Sequence, residues 1–290
     1  MNQLLNNKTK STFSGHDSFQ CRNLWLKKGY DYVKSGKSFN DNDSVVVLGV
    51  GKNMVSSIRF WMKAFGILEA NDELTEISHW IFDEEKGFDP YLEDEATLWI
   101  LHYLLVKGEF ATTYSLIFNF LRKEKIEFTR DNYVQFVQRV IGNQNENTLN
   151  TDFNVFVRMY LSNNGASKDK EDNLMELLNE LRLVESYKSE KKQFYVIENQ
   201  ERTQIPEEVL LFSIMNSGGF DISVNLKSLE SDYNSVGNIF AISRYGLLNK
   251  ILALVEKYDF LIFNDQAGIK ELQFRRKPTA FEILKYYYEG

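Results

Sequence analysis

The stretch from Val45 to Leu68, VVVLGVGKNMVSSIRFWMKAFGIL, constrains the fold of this chain more than any other. Gly49 and Gly51 interrupt an apolar run, and the residues after them switch to helical spacing. Met54, Ile58, Trp61 and Phe65 then form one apolar stripe. This predicts an amphipathic helix from about Asn53 to Phe65, entered through a tight turn and closed by Gly66. Opposite the stripe stand Asn53, Ser56, Ser57, Arg59 and Lys63, with Lys52 in the turn. Small hydrogen-bonding groups and cations suit phosphates and base edges, and a short turn feeding such a helix is the layout of a helix-turn-helix. An ordinary helix with a solvated polar face accounts for the same pattern.

Charge sharpens that reading. The net charge of −7 argues against a generally basic nucleic-acid binder. Yet residues 1–68 hold 10 Lys and Arg against 4 Asp and Glu, whereas residues 69–141 hold 7 against 15. A basic end on an acidic body approaches DNA by one face. With 43% hydrophobic residues, the chain has the material for a packed core. The single cysteine, Cys21, excludes an internal disulfide and a cysteine-based zinc site. No apolar run approaches the roughly 20 residues of a membrane span, so a soluble, cytoplasmic protein is expected.

Periodicity elsewhere predicts a mainly α protein with small β-hairpins. Phe13–Gly29 reads as a turn and then a short helix ending near Gly29. Leu74–Phe82, Thr112–Arg122 and Asp131–Ile141 read as helices. Asp89 fits an N-cap, Pro90 the first helical position, and Glu93, Asp94 and Glu95 load the early turns of a further helix. The polar segments Gly142–Asn154 and Ser162–Asp172 both suit a boundary, and two domains are expected, residues 1–145 and 146–290. Asn173–Leu183 is a helix candidate. Val184–Tyr187 and Phe194–Ile197 flank a charged turn, and Phe260–Phe263 and Glu271–Phe274 flank another after a helix at Tyr245–Tyr258. Helix followed by hairpin is the order of a winged helix.

Several residues could carry chemistry. Gly49-x-Gly51-Lys52 resembles half of a P-loop but lacks its first glycine and its Ser or Thr after the lysine, so a phosphate-contacting turn fits better. His16 and Asp17 lie in a Gly-His-Asp turn upstream of Arg22. They are candidates for an acid–base pair beside a phosphate contact, or for a turn fastened by hydrogen bonds. His102 sits in an apolar helix and reads as a core histidine. Asp89, Glu93 and Asp94 offer hard oxygen ligands to a divalent cation, although capping explains all three. The charge runs Lys168–Asp172 and Glu190–Lys192 read as solvated loops.

Three segments, FSGHDSFQCRNLWLKKG, LGVGKNMVSSIRFWMKAFGIL and DPYLEDEATLWILHYLL, resemble an uncharacterised bacterial family. Its members show an FSGHE opening, a GVGKNMV block and a DPYLED block; Asp17 stands here in place of the family's Glu. The likeness is close over the first half of the chain and loose over the second. Such genes tend to lie beside PAPS-reductase-like sulfur-transfer enzymes in DNA phosphorothioation and phage-defence clusters, and one branch looks like an SspB-type nicking subunit. The resemblance implies a partner of that sulfur-transfer type and a DNA substrate, with Mg²⁺ or Mn²⁺ if a strand is nicked. The expectation is a protein built on helix-turn-helix and winged-helix-like units that engages or nicks DNA. A non-enzymatic adaptor for the sulfur-transfer enzyme and a winged-helix transcription regulator are the alternatives.

Overall fold

The computed structural model describes residues 11–161, 177–266 and 268–290. The chain forms two compact units, one ending at Ile197 and the other running from Glu198 to Gly290. The expected division at 145/146 therefore moves: the helix Glu146–Tyr160 runs through the polar stretch taken for a linker and packs inside the first unit.

The first unit begins with α1 (Trp25–Lys34), α2 (Ser44–Leu48) and α3 (Lys52–Ala64). Gly49, at φ +62°, lets the chain reverse within three residues between α2 and α3, in a left-handed conformation that side chains disfavour. Trp61, Ile58 and Phe65 are fully buried, as the stripe predicts. Gly29 does not end a helix but lies inside α1. A Cβ there would sit 2.1 Å from Met62 Sδ, so the missing side chain is what lets α1 approach α3.

Next come α4 (Glu76–Phe82) and α5 (Glu95–Gly108). Asp89 and Pro90 do not open α5. The Asp89 carboxylate accepts the N–H groups of Glu93 at 2.8 Å and Asp94 at 3.0 Å, which closes a turn, and Asp94 caps the helix by accepting from Ala96 at 2.8 Å. Helix α6 runs from Thr112–Leu116 through π-helical Ile117–Leu121 to Arg122–Glu124. It is followed by β1 (Glu127–Phe128), α7 (Arg130–Val140) and α8 (Glu146–Tyr160). The Lys168–Asp172 run and the first four residues of the Asn173–Leu183 candidate lie outside the described residues; within the rest, Asn179–Leu181 is a 3₁₀ turn. The predicted hairpin is β2 (Glu185–Ser189) and β3 (Lys192–Val196), and β1 pairs antiparallel with β3 to complete the sheet β1-β3-β2.

The second unit contains α9 (Glu207–Ser217), β4 (Ser223–Asn225), α10 (Leu226–Ser231), α11 (Val236–Ile239) and α12 (Arg244–Lys257). The hairpin β5 (Leu261–Gln266) and β6 (Ile269–Phe274) follows, then α13 (Ala280–Tyr288). Its sheet order is β4-β6-β5. Both units thus run helix, short strand, further helices, hairpin, and in both the short strand pairs with the hairpin's second strand. The protein is mainly α with two small antiparallel sheets.

Two consequences for stability follow. Trp61 is completely buried and its indole N–H donates to the Phe19 carbonyl at 2.9 Å. Trp61→Ala should cost roughly 3–5 kcal/mol, read as a markedly lower melting temperature. In the second unit, burial opposes charge on Glu208, but hydrogen bonds from Lys257 and Tyr258 prevail and hold its carboxyl below the usual range. A depressed acid stabilises the fold above its unfolded pKa, so this contribution should disappear as pH falls below roughly 4.3 and through the lower folded value. Acid unfolding of Glu208→Gln should lack that component.

Candidate nucleic-acid interface

Helix α3 has two unlike faces. The inner face builds the core; the outer one borders a groove of about 700 Å³. Lys52, Ser56, Arg59 and Lys63 line it from α3, with Phe39 and Phe110 as its aromatic walls. The structure therefore brings together four of the residues predicted to meet DNA. Asn53 is exposed but outside the groove lining. Ser57 is a correction: it is fully buried on the core side and its hydroxyl finds no partner, so it cannot touch a ligand. A serine is small enough to sit on either face, which the sequence pattern does not resolve.

The groove's cations are not equivalent. Arg59 makes a two-pronged contact with Asp72, 3.0 Å from Nε to Oδ1, and Lys63 shares that carboxylate at 2.8 Å. Burial opposes charge on Asp72, yet Arg59 and Lys63 together keep its carboxyl below the ordinary range. One anion thus fixes two cations and leaves one positive charge in excess. Lys52 is exposed at the first turn of α3, whose N-cap residue, Gly51, supplies no side-chain bond to the terminal N–H groups. Asp72 escaped the sequence reading, although its position in an Asn-Asp turn, at φ +69°, is where an acidic side chain folds back onto a neighbouring helix.

His16 does not line this groove, although its ring packs against Phe60, which does. It is 3% exposed, stacked on Trp61 with a centroid separation of 5.8 Å and edge-on to Phe60. The Ser18 N–H donates to Nδ1 at 3.2 Å, which leaves Nε2 to donate to Asp152 Oδ1 at 2.5 Å. Thr113 donates to the other Asp152 oxygen and accepts from the Tyr133 hydroxyl. Burial, reinforced by Asp152, pushes the Tyr133 phenol up and keeps it a donor. Both imidazole nitrogens are engaged and the ring is buried against Trp61, so the dyad has no open position for a reacting atom. Asp17 is exposed at φ +43°, followed by Ser18 at φ +63°. Gly15, at φ +109°, packs where a Cβ would lie 2.8 Å from Phe60. Arg158 donates to the Ser18 carbonyl, completing a tightly strapped turn. Arg22 does not join the groove; its guanidinium lies 5.5 Å from the Trp25 ring centre.

Among the described residues no three His, Cys, Asp or Glu side chains converge as a metal cage. Asp89 and Asp94 spend their carboxylates on backbone N–H groups, so with Glu93 they shape the entry to α5 and do not fit a cation site. His102 is a core residue bonded to the Tyr160 hydroxyl at 2.8 Å. No helix among the described residues is long and apolar enough to cross a membrane.

His16→Ala should remove the buried one of two links between the N-terminal turn and α8, leaving that from Arg158, and leave the Asp152 carboxylate short of a buried partner. Losses of about 3–5 kcal/mol are usual for such a pair. A variant melting with the parent would show that the strap is dispensable.

Comparison with solved structures finds two close in fold. A magnesium ion-bound SspB crystal structure superposes with a TM-score of 0.86 at 23% identity, covering 98% of this chain and 90% of its own. A second SspB crystal structure gives 0.85 at 23%, covering 99% and 90%. At that identity the likeness establishes the fold, and it agrees with the SspB-like resemblance read from the motifs. No curated protein matches the sequence significantly. A family model spans residues 13–288, nearly the whole described chain, and the chain accordingly belongs to the DUF4007 family, proteins of unknown function.

Proposed function

We propose that this protein engages DNA within a phosphorothioation-type defence system, and that the α3 groove is where it does so. The observation that carries the reading is the convergence of Lys52, Arg59 and Lys63 on one groove of a chain whose net charge is −7. A groove with fixed cations, a serine hydroxyl and an uncapped helix start supplies what phosphate oxygens require. Asp72 holds the Arg59 fork in place before any ligand arrives, which lowers the ordering cost of binding. The SspB-like fold and the sequence motifs favour the same setting, with a PAPS-reductase-like sulfur-transfer protein as the partner.

The order of elements adds to this. Helix, short strand, helices and hairpin, with the short strand against the hairpin's second strand, is the arrangement expected of a winged helix, and it occurs once in each unit. We read both as winged-helix-like modules. Positioning of DNA suits the groove better than strand cleavage by it, because none of its lining side chains is a histidine, a cysteine or one of two adjacent carboxylates.

Lys52→Ala combined with Arg59→Ala should weaken binding to a labelled duplex and reduce the slope of log affinity against log salt by about two units. Equal slopes for parent and variant in fluorescence anisotropy would refute the groove. Asp72→Asn should steepen the salt slope, because it removes the carboxylate charge that neutralises Arg59 and Lys63. Relaxation of supercoiled plasmid by the pure protein with Mg²⁺ would instead favour the nicking reading.

A further inference from the structure

A second cleft, of about 350 Å³, opens at the hairpin of the first unit and shares no lining residue with the α3 groove. Arg130 and Asp131 reach it from the start of α7, Asn154 from α8, and Lys191, Lys192 and Tyr195 from the hairpin. Arg130, Lys191 and Lys192 are exposed and make no ion pair among the described residues. Arg139, Arg244 and Lys257, by contrast, pair with Glu124, Glu230 and Glu208, and what sets the cleft apart is that three unpaired cations converge on it. Three unneutralised cations from two separate elements therefore face one cleft, against the single carboxylate of Asp131. Its floor is built: the Tyr195 ring packs on Phe153 at a centroid distance of 5.1 Å, beside Asn154.

The hairpin turn adds a second observation. Its two central residues, Glu190 and Lys191, have φ of +48° and +68°. Turns of this kind favour Asn and Gly, because other side chains are strained there. A lysine at that position costs stability while carrying a positive charge to the hairpin tip.

We propose that this cleft binds the phosphodiester backbone of DNA, with Lys191, Lys192 and Arg130 as phosphate contacts and Asn154 facing the bound nucleotide. The inference rests on the reading that the protein engages DNA, and it adds a second contact on the first unit. The hairpin and α8 then act together, the hairpin supplying charge and the helix a hydrogen-bonding amide. A cleft of this size admits one strand edge rather than a whole duplex, so the contact is to backbone and not to a major-groove face.

The test uses the full chain and a fluorescein-labelled duplex in anisotropy titrations over a series of salt concentrations. Lys191→Gly with Lys192→Ala removes two charges, and glycine suits the positive φ, so the melting temperature should stay equal or rise. The salt slope should fall by about two units, and by a further unit when Arg130→Ala is added. Stability retained while binding is lost separates a contact from a structural role. If the hairpin variant binds like the parent while Lys52→Ala with Arg59→Ala is weakened, the cleft assignment is overturned and the groove stands. If the hairpin variant alone is weakened, the cleft stands and the groove assignment falls. If the parent chain binds no duplex, both readings are overturned.

Discussion

The first unit depends on the packing of Trp61. Its indole is fully buried, donates to the Phe19 carbonyl and stacks on His16, which in turn reaches Asp152 on α8. One side chain thereby ties the N-terminal turn, α3 and α8 into a single body. The arrangement commits the inner face of α3 to the core and leaves the outer face, with its cations, to border the groove. It also explains why a Gly-His-Asp turn with the look of a catalytic dyad is shut: an imidazole used to join three segments has no nitrogen left for a substrate.

The same junction limits what α8 can do. In the winged-helix-like reading proposed above, α8 is the third helix, after α6 and α7, and takes the position that reads bases in such folds. Its Asp152 and Arg158 are directed to the N-terminal turn, and Glu146, Asn147, Thr151 and Asn154, its most exposed residues, carry no cation. Positive charge sits instead on the hairpin tip and on α3. Under the proposed DNA-engaging function, such a distribution favours contact with the sequence-independent backbone over direct base readout.

Much of the helical framework is legible in the sequence because it is written in local periodicity. The stripe Ile58, Trp61, Phe65 gives α3 within a residue at each end, and the aromatic and β-branched runs give both hairpins. What fails to show is either nonlocal or ambiguous in kind. Strands β1 and β4 are two and three residues long, too short for alternation, and exist only because a hairpin far along the chain pairs with them. The His16–Asp152 bond spans 136 residues and leaves no local trace. Asp89-Pro90 satisfies every rule for opening a helix, yet an aspartate that gathers N–H groups in a turn looks the same in sequence as one that caps. Gly29 was ambiguous in the same way, since a glycine that ends a helix and one that admits a neighbouring helix differ only in what packs against them. Of the groove residues, Lys52, Ser56, Arg59 and Lys63 could be read from α3, whereas Phe39, Phe110 and the clamp on Asp72 required the fold.

The central claim is that backbone phosphates meet the first unit at two places, the α3 groove and the hairpin cleft. Its most direct test is lysine acetylation of the full chain with and without a DNA duplex, read residue by residue by mass spectrometry. Protection of Lys52, Lys191 and Lys192, with unchanged reactivity for the lysines of the second unit, is the expected result. Equal acetylation of these three lysines in the presence of a duplex that the protein demonstrably binds would contradict it.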